Sequence, residues 1–269
     1  MLAKNGMTFV FPRWNFGVMS DNNSIKTLAV ILLMMVFAAS CNKPDEPNNG
    51  GDNSQNDSLV EPNSGGENID NQVHDYVDLG LPSGTLWATC NVGADTPEGF
   101  GDFFAWGETK PKDIYDWKSY KYGNYERNEL TKYCTDSSYG LNGFVDNLTV
   151  LEPDDDAATA NWGADWRMAT RDEWEELYRE TTCAWTTQNG VEGRLLTSWN
   201  GNSIFLPTTG FFLDGELICP GLGIYWSSSL HTGCPERGWS FHYDLDECHV
   251  CGTYERSRGQ VIRPVRSVK

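Results

Sequence analysis

The segment Trp166-Arg167-Met168-Ala169-Thr170-Arg171-Asp172-Glu173-Trp174-Glu175-Glu176-Leu177 constrains the fold of this chain more than any other stretch of its length. Thr170 followed three residues later by Glu173 is a capping box: the hydroxyl accepts from the Glu173 amide while the carboxylate reaches back to the Thr170 amide. A strand therefore ends ahead of Thr170 and a helix starts after it. Asp172, Glu173, Glu175 and Glu176 crowd the first turns, where the helix dipole favours negative charge. Trp174, Leu177 and Tyr178, at spacings of three and four, make one apolar face. The spacing predicts a short amphipathic helix packed on a core, and nothing in it carries catalytic chemistry.

The surrounding pattern predicts many short strands. Tyr76 to Gly93 reads as two of them around a Pro82-Ser83-Gly84 turn, and Gly101 to Gly107 as a third. Further strands are expected at Ser203 to Pro207, Gly223 to Ser229, Gly238 to Tyr243 and Gln260 to Val265. Trp239, Phe241 and Tyr243 alternate as a core-facing strand face would. Glu108 to Asn147 has little periodicity and reads as long loops. Asp154 to Ala160 follows Pro153 with acids and then alanines, which suits a second short helix. The expected class is α+β, with two short helices, many short antiparallel strands and long loops. Aromatic residues, 13% of the chain, supply much of the core.

The first seventy or so residues read differently. Lys26 precedes the apolar run Leu28 to Ala39, about a dozen residues where a bilayer-spanning helix needs roughly twenty, and small residues and Cys41 follow it. Phe37-Ala38-Ala39-Ser40-Cys41 resembles a bacterial lipobox, so residues 1–40 are expected to be a lipoprotein signal peptide and Cys41 the lipidated residue. Met19 is an alternative start within an over-long leader. Residues 41–73, rich in Asn, Gly, Asp and Ser, bury too little apolar surface to order and read as a tether. Asp45-Glu46 resembles the surface-export signals of some Gram-negative lipoproteins. The expected location is the outer membrane, exposed at the cell surface and attached through the lipid anchor alone.

With 38 acidic and 20 basic residues, a formal net charge of -18 disfavours nucleic acid and anionic membrane surfaces as partners. Of eight cysteines, Cys41 apart, the domain from residue 74 to 269 holds an odd number, whose pairing spacing does not assign.

Taken in order, Val77 to Gly84, Trp87 to Ala94, Phe104 to Thr109, Asp155-Asp156-Ala157-Ala158, the capped-helix segment, Tyr225 to Ser229 and Val261 to Val265 resemble the Fibrobacter succinogenes major paralogous domain. The resemblance covers residues 75–266. It implies a C-type-lectin-like fold, related more remotely to formylglycine-generating enzymes, whose version of the opening motif has proline where Ala169 stands. It also implies that ligand contacts come from the segment just before the final strand, as in relatives diversified by retroelements.

In that segment His242, Glu247, His249, Tyr254, Arg256 and Arg258 are the expected ligand-binding residues, exposed for a glycan or protein ligand. An adhesion or recognition module is the expected function. Two rivals remain: a formylglycine-generating-enzyme-like oxidoreductase, for which Cys248 and Cys251 are the nearest candidate pair, and a structural subunit of a surface appendage. No catalytic residue is assigned. A zinc cluster from His231, Cys234, His242, Cys248, His249 and Cys251 is disfavoured, because Cys248 and His249 point to opposite faces of a strand. No cofactor is expected, with calcium in the Glu108 to Asn147 loops left open.

Overall fold

In the computed structural model, residues 74–267 are described; Cys41, the expected signal peptide and the tether lie outside them. β1 (Tyr76–Asp78) and β2 (Leu86–Ala88) pair antiparallel across the Pro82-Ser83-Gly84 turn, closed by the Gly84 amide on the Leu81 carbonyl at 2.9 Å. The stretch around Phe104, expected as a strand, makes only a two-way bridge to Gln260. Its alternate amides at Asp102, Phe104 and Trp106 go to Val92, Gln260 and Arg256, so no continuous partner strand lies beside it. The following loops run as expected to the 3-10 turn Pro153–Asp155. There the predicted second helix is divided: Asp156 accepts from the Thr159 amide at 3.0 Å and caps α1 (Ala157–Trp162).

β3 (Arg167–Met168) leads into α2 (Arg171–Glu180), and both capping-box bonds are present. The Glu173 amide donates to Thr170 Oγ1 at 3.3 Å, and the Thr170 amide donates to Glu173 Oε2 at 2.9 Å. Arg167 donates to both oxygens of the same carboxylate at 2.6 and 2.7 Å, and the Thr85 hydroxyl donates to it at 3.0 Å. Burial works against the Glu173 charge, but these donors outweigh it and hold its carboxyl below the usual range. Trp174, buried as predicted, stacks on Phe241 with centroids 4.8 Å apart and meets Trp87 edge-on at 4.6 Å. Tyr178 stays exposed at the margin of that face.

Two hairpins were among the features not expected. β4 (Thr181–Gln188) and β5 (Val191–Ser198) form a long hairpin, continued by β6 (Ser203–Pro207). Its turn is Asn189-Gly190, with φ of 50° and 86°, the doubly positive pattern that matches strand twist. The same device at Asp214-Gly215 joins β7 (Phe211–Leu213) to β8 (Glu216–Ile218).

β9 (Gly223–Leu230), β10 (Arg237–Tyr243) and β11 (Cys248–Glu255) make an antiparallel sheet in the order β11-β10-β9, with β11 at its edge. β12 (Pro264–Arg266) closes the fold by pairing with both β2 and β3, giving the order β1-β2-β12-β3. The described region is therefore an α+β assembly of mostly antiparallel strands with two α-helices. Its core has two aromatic-rich clusters, one around Trp106 and Trp226 and the other around Trp87 and Trp174.

β10 departs from simple alternation. Phe241 and Tyr243 are fully buried, as expected, but Trp239 is only half-buried. Register shifts on either side of Ser240 break the alternation between Trp239 and Phe241. Trp239 instead lies 4.4 Å from the Arg171 guanidinium and 4.8 Å from the His231 ring.

Candidate binding face on the edge sheet

The six residues expected to bind ligand fall into two groups. His242 and His249 are direct cross-strand partners on β10 and β11, with rings stacked at 4.8 Å and 24°. Gly252 lies beneath the imidazole. A Cβ there would come within 2.2 Å of His242 Nδ1, so the close approach of strand and ring requires glycine. Tyr254 meets His242 edge-on at 5.9 Å. Beyond it the Arg258 guanidinium lies 5.7 Å from the Tyr254 ring and 5.0 Å from Phe211. At the other end Glu247 Oε2 is 3.4 Å from His249 Nε2. Glu247, His249, His242, Tyr254 and Arg258 thus run as one ladder of touching side chains across the outward face of β10–β11.

Arg256 belongs elsewhere, which corrects the expectation that it is exposed. It has no accessible surface. Nε donates to the Tyr120 hydroxyl at 2.8 Å, Nη1 to the carbonyls of Tyr133 and Pro235 at 2.9 Å each, and Nη2 to that of Lys132 at 3.1 Å. The guanidinium also lies 5.1 Å from the Trp106 ring. A charged side chain tolerates burial when its donors are met, and here the loop Tyr120 to Tyr133 wraps round to meet them. Arg256 is a structural pin between that loop and the last strands.

The ladder is amphipathic. Glu247 is largely exposed and His249 about half so, whereas the Arg258 guanidinium lies over aromatic rings with its Nε buried and only part of the side chain at the surface. Burial, helped by the neighbouring His249, pushes the His242 imidazole below its usual pKa and favours its neutral form. Arg258 is also 3.6 Å from Glu255. The face therefore offers a cation, carboxylates, imidazole nitrogens, a phenol and ring surfaces within one patch, the mixture that suits directional hydrogen bonding combined with stacking.

Of the residues considered for zinc, His231 rests on Trp239, His242 and His249 stack on each other, and Cys248 turns inward to lie 2.6 Å from Cys183. Among the described residues no group of three or more His, Cys, Asp or Glu is arranged to hold a metal ion. Phe211 and Trp199 had no part in the sequence reading, and Cys183 entered it only among the cysteines whose pairing was left unassigned. Trp199, 80% exposed at the β5–β6 turn, donates its indole N–H to the Gly80 carbonyl at 3.1 Å. The Asn200-Gly201 pair flanking it is a turn signal that marks an exposed position.

In the loops left open for calcium, the carboxylates mostly serve the chain itself. Asp146 accepts from the amides of Tyr133, Cys134 and Leu148, and Glu108 from Lys112 and the Lys121 amide. Buried Asp155 gathers Lys121, Lys132, Tyr133 and Tyr122 around one carboxylate.

Comparison with protein-family models, curated proteins and solved structures finds no match to this chain.

Proposed function

We propose that this chain is an outer-membrane lipoprotein, anchored through Cys41 and displayed at the cell surface. Its C-type-lectin-like domain, of the Fibrobacter succinogenes major paralogous kind, binds an extracellular glycan or protein ligand on the outward face of β10–β11. The observation that carries this reading is that five of the residues named together from one segment of the sequence, Glu247, His249, His242, Tyr254 and Arg258, touch in series on one face of an edge sheet just before the last strand. Scattered surface residues would have no reason to line up across two strands and the turn beyond them. Tyr254 and Arg258, both partly exposed at one end of this row, are of the residue types that dominate binding energy in interfaces.

The test is a panel of glycans and surface proteins presented to the purified protein, followed by titration of any ligand found. Arg258→Ala and His249→Ala each weaken binding by about tenfold or more, roughly the cost of truncating one anchor. Unchanged affinity in both variants, or no ligand on the panel, would count against the proposed face.

A further inference from the structure

The inward side of β11 carries a second feature. Cys248 is the first residue of β11, and its side chain points away from His249 towards β4, where Cys183 stands. Their Sγ atoms are 2.6 Å apart, closer than unbonded sulfur atoms pack and near the roughly 2.05 Å of a sulfur–sulfur bond. Both thiols border the core cluster that holds Trp174, Tyr225 and Tyr243. Arg194 reaches over from β5, its Nη1 donating to the Cys183 carbonyl at 3.2 Å.

We infer that Cys183 and Cys248 form a disulfide that fastens the edge strand β11 to the edge strand β4 of the neighbouring sheet. The oxidising compartment follows from the export proposed above, whereas the pairing rests on geometry alone. The oxidant is a disulfide-bearing donor, a thiol–disulfide oxidoreductase or a small-molecule disulfide. The Cys183 thiolate attacks one donor sulfur, forming a mixed disulfide and releasing the other as a thiolate. The Cys248 thiolate then displaces the remaining donor sulfur. The two cysteines lose two protons and two electrons, and the donor leaves as two thiols.

The Arg194 guanidinium beside Cys183 favours its thiolate as the first attacking group. The link joins residues 65 apart in sequence and lies directly behind the binding face. It holds in place the strand that carries His249 and Tyr254.

The test uses the full chain oxidised with excess oxidised glutathione, alkylated without reduction, and digested with trypsin. The pairing predicts one linked product of the peptides Glu180 to Arg194 and Gly238 to Arg256, which separates on reduction. Because Cys251 lies in the second peptide, Cys251→Ser and Cys248→Ser variants assign the partner: the link persists in the first and disappears in the second. Reducing the wild-type protein lowers its Tm by on the order of 5–10 °C. Free, alkylated Cys183 after oxidation, or a link that survives Cys248→Ser, would overturn the assignment.

Discussion

Replacing Arg256 by alanine separates a structural pin from a ligand contact. The substitution leaves the carbonyls of Lys132, Tyr133 and Pro235 without the donors that now meet them. The Tyr120 hydroxyl loses one donor but still bonds the Trp106 carbonyl at 2.7 Å. A buried acceptor without its partner costs roughly 1–3 kcal/mol, so three such carbonyls at the low end of that range, with the lost packing on Trp106, give about 4 kcal/mol. For a domain of this size that is a fall of roughly 8–16 °C in Tm. Arg256→Lys keeps the charge but not the planar fork that serves four acceptors, and recovers only a minor part. Arg258→Ala is the control: its contacts are a partly buried ion pair with Glu255 and two ring faces, worth about 1–2 kcal/mol to stability. Urea denaturation followed by tryptophan fluorescence, with thermal melts by circular dichroism, measures all three. A wild-type-like midpoint for Arg256→Ala would refute the assignment of Arg256 to the core.

Two further outcomes follow from the fold. Thr170→Ala removes half of the capping box and lowers stability by about 1 kcal/mol in the same urea assay, without altering ligand affinity. For Asp155, burial opposes ionisation, but hydrogen bonds from Lys132, Tyr122, Lys121 and Tyr133 more than offset it and hold the carboxyl well below the usual range. A depressed folded pKa contributes stability that is complete above the unfolded value near pH 4 and is lost as pH falls further. The stability gap between wild type and Asp155→Asn is therefore widest above about pH 4 and narrows towards pH 2, and a gap independent of pH would contradict the network.

Legibility of the sequence tracked how local each feature is. The capping box at Thr170 and Glu173 lies within one turn, so its residues alone place the helix. The β4–β5 hairpin is just as local at Asn189-Gly190, but its strands mix Thr, Glu and Arg with apolar residues and so lack the alternation that marks a strand. β11 was harder to see: the register shift against Ser240 and His242 and its polar outward face erase the alternation that marks a strand. The burial of Arg256 could not be read from its neighbours, since three of its acceptors come from residues 123 to 136 positions away. The other five site residues come from one segment of the sequence; which of them touch is a consequence of cross-strand register, which sequence spacing does not carry.

The most direct measurement of the proposed binding face is amide hydrogen exchange of the protein with and without the ligand identified on the panel. Slowed exchange confined to Tyr243 to Arg258, with the Trp199 turn unchanged, is the predicted footprint. Protection centred on Trp199 to Asn202, with β10 and β11 unaffected, would contradict it and move the ligand to another surface.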